Sequence, residues 1–252
     1  MDPIAADIHM TPSARAVPES IGILGAGRVG TALAAALRAA GVSVHGPAGR
    51  DEPLPPCDAV LLCVPDGAIA AAAEAVAGAA PLTGHTSGAT PLTALAAAGG
   101  ELFGLHPLQT VTGDGATLAG AGCAIAGTTT DALDLAQRLA LVLGMTPFEI
   151  ADEDRAAYHA AASIASNFLV TLEAAAERVA ASAGVDRKLL APLVRATVEN
   201  WAAVGAERAL TGPVARGDDA TVARQREAIP DDLLPLFDAL VEATRDLAGV
   251  RA

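Results

Sequence analysis

The chain has 252 residues, enough for one large domain or two modest ones, and 52% of them are hydrophobic although only 2% are aromatic. A formal net charge of −13 argues against a protein that follows a nucleic-acid backbone or lies on an anionic membrane, because both need clustered Lys and Arg. No apolar run approaches the ~20 residues of a membrane span. We therefore expect a cytoplasmic protein, with Cys57, Cys63 and Cys123 reduced and no metal site.

The predicted elements divide the chain into two parts. Residues 20–150 alternate short apolar runs with alanine-rich segments, which is typical of a parallel α/β sheet. The predicted strands are 21–24, 42–44, 58–64, 82–86, 102–105, 123–126 and 147–150, and the predicted helices are 31–40, 68–79, 91–98 and 131–143. Residues 151–252 contain only helical patterns, including one continuous helix over 152–183. We predict a disordered tail (1–19), an α/β domain (20–150) and an all-helical domain (151–252), with a cleft between the two domains.

A glycine-rich loop joins the first predicted strand to the first helix. It consists of Gly25, Ala26, Gly27, Arg28, Val29 and Gly30. In this context the first glycine permits a tight turn, the second admits a pyrophosphate and the third lets the helix pack on the sheet. The loop predicts a Rossmann-type domain that binds a dinucleotide at the helix N-terminus.

The end of the second strand bears on the choice of dinucleotide. An NAD site has an Asp or Glu there to hold the ribose 2′-OH, but this segment ends in Gly49-Arg50 with no acid at its tip. Because a guanidinium suits a 2′-phosphate, Arg50 favours NADP(H). The alternative is that Arg50 is a solvated loop residue. After the third strand, Val64, Pro65 and Asp66 would line the cofactor site, unless Asp66 simply caps the next helix.

Polar side chains follow two further predicted strands, and we expect them to lie close together at the same edge of the sheet. His106, Gln109 and Thr110 follow one strand, while His85 and Ser87 follow the other. We interpret His106 as a catalytic or substrate-binding residue, with a structural histidine as the alternative, and give Ser87, Gln109 and Thr110 substrate-binding roles.

The helical domain supplies a second set of candidates. His159, Ser163 and Asn167 are spaced by four residues and would form one polar stripe on a regular helix. Such a stripe calls for a partner, either another protein group or a substrate. Arg216 and Thr211 lie in a polar loop, where the arginine could hold a substrate carboxylate or be merely exposed.

In combination these motifs carry a family resemblance. The residues are Gly25–Gly30, Val64–Asp66, His106–Thr110, Tyr158, His159, Ser166, Asn167, Thr211–Pro213 and Arg216–Asp218. The chain resembles bacterial Rossmann-like proteins that end in a helical domain of unknown function of the DUF2520 type. More distantly it resembles the 6-phosphogluconate dehydrogenase superfamily, which includes ketopantoate, pyrroline-5-carboxylate and β-hydroxyacid reductases.

The resemblance implies an NADP-dependent oxidoreductase, a homodimer formed through the helical domain and a small anionic substrate such as ketopantoate. His106-Pro107 is also similar to the His-Pro motif of prephenate dehydrogenases. One departure matters, because Ser163 occupies the position of the lysine that ketopantoate and β-hydroxyacid reductases use, one turn before the asparagine matched by Asn167. The proton must then come from His106, His159 or a water held by Ser163 and Asn167. A non-catalytic NADP(H) sensor and an imine reductase of the pyrroline-5-carboxylate type stay open.

Overall fold

The computed structural model describes residues 18–50, 52–112 and 117–249. Residues 1–17 of the predicted disordered tail lie outside the described part. The chain divides into two units, Met1–Ile164 and Ala165–Ala252. The division falls later than the predicted boundary at 150/151, because the first helix after the sheet packs against the sheet and belongs to the first unit.

The first unit is built on one seven-stranded sheet, and every predicted strand is part of it. The strands are β1 (Ser20–Leu24), β2 (Ser43–Ala48), β3 (Ala59–Leu62), β4 (Leu82–His85), β5 (Glu101–Leu108), β6 (Gly122–Gly127) and β7 (Thr146–Glu149). Their order across the sheet is β2-β1-β3-β4-β5-β6-β7. Since β1 lies between β2 and β3, the strand order reverses at the end of β1, where open α/β sheets bind their ligands.

The sheet is parallel except at one pair, where β6 runs antiparallel to β5. Parallel neighbours need a crossover connection, usually a helix. The described part of the connection between β5 and β6 contains no helix, so the chain returns alongside β5 in the opposite direction. The prediction of a parallel sheet was wrong for this pair alone.

Helices cover both faces of the sheet. They are α1 (Arg28–Ala39), α2 (Ile69–Ala75), α3 (Thr130–Val142) and α4 (Arg155–Ser163), together with a 3₁₀ segment at Leu92–Ala98. One core packs α1 and α3 against the sheet, and a second packs α2 and the 3₁₀ segment against the opposite face. Helix α2 is shorter than the predicted 68–79, and Gly78 follows it in a left-handed conformation with φ +75°.

The second unit is entirely helical within its described residues, as predicted. It contains α5 (Leu169–Ser182), α6 (Arg187–Val204), α7 (Ala206–Ala209), α8 (Asp219–Glu227) and α9 (Leu234–Ala248). The prediction of one regular helix over 152–183 was wrong, because a π-helical turn at Ile164–Phe168 separates α4 from α5. His159 and Ser163 keep the predicted α-helical spacing within α4, whereas Asn167 lies in the π turn, which changes the angular spacing of side chains.

Burial differs sharply between the units. Within the described residues of the second unit only Val222 is buried, whereas α6 leaves Leu189, Leu193 and Trp201 exposed at 70%, 65% and 57%. No helix among the described residues is both long and apolar enough to cross a membrane.

Candidate functional site

The glycine-rich loop has the geometry that its sequence predicts. Gly25 follows β1 with φ +116°, and a Cβ there would collide with the Cys63 carbonyl. A Cβ on Gly30 would collide with the Gly25 carbonyl, so this glycine permits the close packing of α1 on the sheet. Gly27 is different, since a Cβ there would meet no heavy atom within 4 Å. Open space beside Gly27 is what the approach of a pyrophosphate requires.

Helix α1 presents its N-terminus at this open space. Gly27 is the N-cap, its carbonyl accepts from the Thr31 N–H at 2.9 Å, and the first turn carries no acidic residue. Ala26, Gly27 and Arg28 are exposed. The uncapped N–H groups and the positive end of the helix dipole therefore fit the phosphates of a dinucleotide.

The end of β3 lies beside the loop, since the Cys63 N–H donates to the Leu24 carbonyl at 2.7 Å. Val64, Pro65 and Asp66 follow, and Asp66 is exposed at the start of a short 3₁₀ turn. Neither that turn nor α2 has a side-chain cap. The alternative interpretation of Asp66 as a helix cap is therefore wrong, and its side chain is exposed beyond the end of β3.

The tip of β2 carries both a cation and an acid. Arg50 is exposed just beyond the end of the strand at Ala48. The Gly49 N–H donates to the carboxylate of Glu52 at 2.8 Å, which brings a negative charge back to the tip. Glu52 could not be recognised from the sequence because it lies beyond the strand end, and only its hydrogen bond to Gly49 shows that it returns there.

Two histidines project from one face of neighbouring strands. His85 on β4 pairs in register with Gly104 on β5, and His106 follows Gly104 by two residues, so both rings lie on the same face. The Nδ1 atom of His106 is 2.6 Å from the Tyr158 hydroxyl oxygen on α4. The His106 and His159 ring centroids are 6.3 Å apart. The structure thus brings His106 and His159 together within the first unit.

Burial holds both sheet histidines in the neutral form. Desolvation lowers the pKa of His106 to about 4, and the charges of His159 and Arg155 act in the same direction. Desolvation and then Arg155 likewise lower the pKa of His85 to about 4. At neutral pH His106 is therefore a neutral imidazole, which can donate one N–H and accept at its other nitrogen.

His85 and Ser87 organise the loop after β4. The Ser87 N–H donates to His85 Nδ1 at 3.2 Å, and the Ser87 hydroxyl bonds to Thr90 at 3.0 Å. A Cβ at Gly88 would lie 2.9 Å from His106 Nε2, so this loop packs directly on the His106 ring. The substrate-binding role of Ser87 stays a prediction.

Arg155 is a buried cation that the sequence pattern does not reveal. It is 2% exposed, and its Nε donates to the Asp152 carboxylate at 2.6 Å. A Cβ at Gly104 would lie 3.3 Å from its Nη2, and that Nη2 has no hydrogen-bond partner among the described residues. Its sequence neighbours Asp152, Glu153 and Asp154 suggest an ordinary solvated helix start, so no local pattern pointed to it.

Among the described residues of the first unit, no hydrogen bond joins Gln109, Thr110 or Ser163 to the histidines. The Gln109 side-chain oxygen accepts from the Thr110 N–H at 2.8 Å, and this hydrogen bond holds the Gln109 side chain within its own loop. Ser163 ends α4 and is half-buried. Asn167, Thr211 and Arg216 lie in the second unit, and their roles stay predictions. Within the described residues no group of His, Cys, Asp and Glu could hold a metal ion.

Comparisons with known proteins agree with this architecture. Residues 121–244 match the model of a family described as Domain of unknown function (DUF2520), which confirms the resemblance predicted from the sequence. No curated protein matches the chain in sequence.

Solved structures extend the likeness to nearly the whole chain. A candidate NADP oxidoreductase from Bacteroides fragilis is 20% identical with a TM-score of 0.80, over 90% of this chain and 98% of that one. A protein from Thermotoga maritima is 23% identical with a TM-score of 0.75, over 91% and 99%. A reductive aminase from Aspergillus terreus, in complex with NADPH and ethyl-5-oxohexanoate, is 17% identical with a TM-score of 0.62, over 92% and 98%. At these identities the likeness shows a common fold, and the predicted Rossmann-type sheet followed by a helical domain is confirmed.

Proposed function

We propose that this chain, a Rossmann-type protein whose residues 121–244 match the DUF2520 family, is an NADP-dependent oxidoreductase acting on a small oxo acid. The observation that carries the proposal is the open space at Gly27, in front of an uncapped helix N-terminus and at the reversal of strand order. A dinucleotide pyrophosphate fits such a position for steric and electrostatic reasons.

The cofactor would be held by the first unit. The loop Gly25–Gly30 would bind the pyrophosphate, Arg50 the 2′-phosphate, and Val64–Asp66 would line the edge next to the loop. NADPH supplies a hydride when bound. NADP(H) is favoured over NAD(H) by Arg50, and the names of the Bacteroides fragilis and Aspergillus terreus proteins mention NADP and NADPH.

His106 would act at the reacting oxygen. A neutral imidazole that donates its N–H to a carbonyl oxygen favours the negative charge that develops there during reduction. His159 is the second candidate, because its ring lies 6.3 Å from that of His106. The absence of a lysine at Ser163 leaves these side chains, or a water held by Ser163 and Asn167, as the acid, and ketopantoate is the specific substrate that we propose.

The proposal is tested by following NADPH consumption by the purified protein with ketopantoate and a panel of other small 2-oxo and 3-oxo acids. We expect turnover with at least one of them and a large loss of turnover in His106→Asn, with NADPH binding retained. Tight NADPH binding without turnover of any oxo acid would favour the alternative of a non-catalytic NADP(H)-binding sensor.

Imine reduction is a second candidate function. It is favoured by the missing lysine, which carbonyl reduction in the superfamily uses, and by the structural likeness to a reductive aminase. The same assay with pyrroline-5-carboxylate, or with an oxo acid plus an amine, separates the two functions. Turnover that depends on the imine or amine would replace the oxo-acid proposal.

We also propose that the protein is a cytoplasmic homodimer in which a second copy covers α6. Leu189, Leu193 and Trp201 are spaced by four and eight residues, lie on one face and are all more than half exposed. Helix α6 has 18 residues, a length of about 27 Å. Its apolar face is suited to a self-complementary contact. Light scattering coupled to gel filtration measures the molar mass, and a monomer at micromolar concentration would contradict the dimer.

A further inference from the structure

The contact between His106 and Tyr158 raises a question that the proposed function leaves open. A neutral imidazole can protonate an oxygen from Nε2 only if its other nitrogen gains a proton at the same time, since it would otherwise become a very basic imidazolate. The group that contacts Nδ1 is the Tyr158 hydroxyl at 2.6 Å. Both residues belong to the first unit, so the contact does not depend on the placement of the helical unit.

The protonation states allow the Tyr158 hydroxyl to donate to Nδ1 in this hydrogen bond. Burial raises the pKa of Tyr158 to about 12, so the hydroxyl keeps its proton at neutral pH. Burial also keeps His106 neutral, so one ring nitrogen is free to accept. When the hydroxyl donates to Nδ1, the ring proton sits on Nε2. Gly88 packs on this ring, where a Cβ would lie 2.8, 2.9 and 3.0 Å from Cε1, Nε2 and Nδ1, so the absence of a side chain at this position admits the ring.

Resting on the oxidoreductase function proposed above, we propose that Tyr158 is a positioning residue that fixes His106 as the Nε2–H tautomer and relays a proton through it. As the Nε2–H bond breaks and an O–H bond forms on the substrate, the Tyr158 O–H bond breaks and an Nδ1–H bond forms. The phenolate then takes its proton back from Nδ1 while Nε2 takes one from water, which is left as hydroxide, and the ring returns to its starting tautomer. Protons balance at each step without an imidazolium.

The charged surroundings favour this relay. Arg155 is buried beside the dyad and opposes the rise in the pKa of Tyr158, because its charge favours the phenolate. The same positive charge disfavours an imidazolium at His106. The other titratable groups that act on the dyad are His159 on α4, His85 on β4, Cys123 on β6 and Asp66 after β3. Of these, Asp66 alone favours the imidazolium.

The tautomer is tested first, by ¹⁵N NMR of the wild-type protein with labelled histidine and without substrate. We expect His106 to be neutral at pH 7 with its proton on Nε2, and we assign its signals by their loss in His106→Asn. A proton on Nδ1, or an imidazolium at pH 7, would overturn the proposal. Because the measurement needs no turnover, it stands apart from the outcome of the activity assay.

The relay is tested by the pH dependence of turnover in Tyr158→Phe. We expect kcat to fall by about 100-fold at pH 7.5 while the KM and Kd for NADPH stay unchanged. As the pH is lowered from about 8 to 5, the remaining activity should rise about tenfold per pH unit, because only the imidazolium can then donate a proton. The wild-type rate should stay constant over the same range. A flat profile in Tyr158→Phe would refute the relay. Phe148→Leu is the matched control, since it removes the ring packed 5.8 Å from Tyr158 and should keep the wild-type profile.

Discussion

The two units of the chain bury their apolar side chains to different extents. The first unit buries two apolar cores on either side of its sheet, with side chains such as Leu61 and Phe103 at 0% exposure. The second unit buries Val222 alone among its described residues and leaves large apolar side chains in contact with solvent. Burial of apolar surface is the main favourable term in folding, so the first unit has its own source of stability. The exposed apolar side chains of the second unit are suited to burial against another protein surface.

Phe103→Ala should produce the largest effect and confine it to the first unit. The ring is fully buried under Gly84, so its removal leaves a cavity and should lower the free energy of unfolding by about 3–5 kcal/mol. Urea unfolding followed by circular dichroism measures the change. Phe168→Ala is the control, because this side chain is 61% exposed, and a similar loss there would contradict the contrast between the units.

Acid should weaken the first unit before the second. The folded-state pKa of His85 is lowered from 6.5 to about 4 by burial, so the unfolded chain binds the proton more readily. Stability is therefore constant above pH 6.5 and falls as the pH drops from 6.5 towards 4, by about 2–3 kcal/mol for this residue. In the second unit the exposed Asp218, Asp232 and Asp238 have pKa values below the usual 3.8, so their contribution is lost only at lower pH.

Urea unfolding at pH 7 and at pH 4.5 checks this order. The single tryptophan, Trp201, reports on the second unit, and the single tyrosine, Tyr158, reports on the first. His85→Leu should remove about half of the pH dependence of the first unit, because His106 has a similarly lowered pKa and keeps its own contribution. A pH dependence that is unchanged in this variant would show that other groups cause it.

Leu193→Glu tests whether a second copy covers α6. A charge in the centre of an apolar interface should cost about 2 kcal/mol or more and weaken self-association at least tenfold. Analytical ultracentrifugation over a range of concentrations measures it. The matched control is Leu141→Glu on α3, since Leu141 is also half-exposed, at 50%, but belongs to the first unit. An equal effect of both substitutions would show that α6 is not the interface.

The smallest expected effects concern the tip of β2. Arg50→Ala should weaken NADPH binding about tenfold and leave NADH binding unchanged, because only NADPH carries the 2′-phosphate. Glu52→Gln removes one nearby negative charge and should therefore strengthen NADPH binding about two- to threefold. Fluorescence titration with each nucleotide measures both changes. Parallel changes in NADPH and NADH affinity would mean that neither side chain reads the 2′ position.

The first unit was more predictable than the second, and particular residues show why. The loop Gly25–Gly30 is a local pattern set by backbone sterics, so its turn and helix start could be inferred from sequence. His106 could be selected because it follows the predicted strand 102–105, although β5 extends past it to Leu108. Arg155 could not, because its burial depends on the packing of α4 over Gly104. The π turn at Ile164–Phe168 was missed because the alanine-rich segment suits a regular helix equally well.

The sequence by itself determined the α/β unit followed by helices, the phosphate-binding loop and the absence of a lysine at Ser163, because each depends on residue type and short-range spacing. The tertiary structure alone decided the antiparallel β5–β6 pair, the return of Glu52 to the tip of β2 and the dyad of His106 and Tyr158. These features join positions far apart in the chain, or separated by a turn, and sequence spacing does not encode such distances. The neutral state of His106 likewise arises from burial, which exists only once the chain has packed.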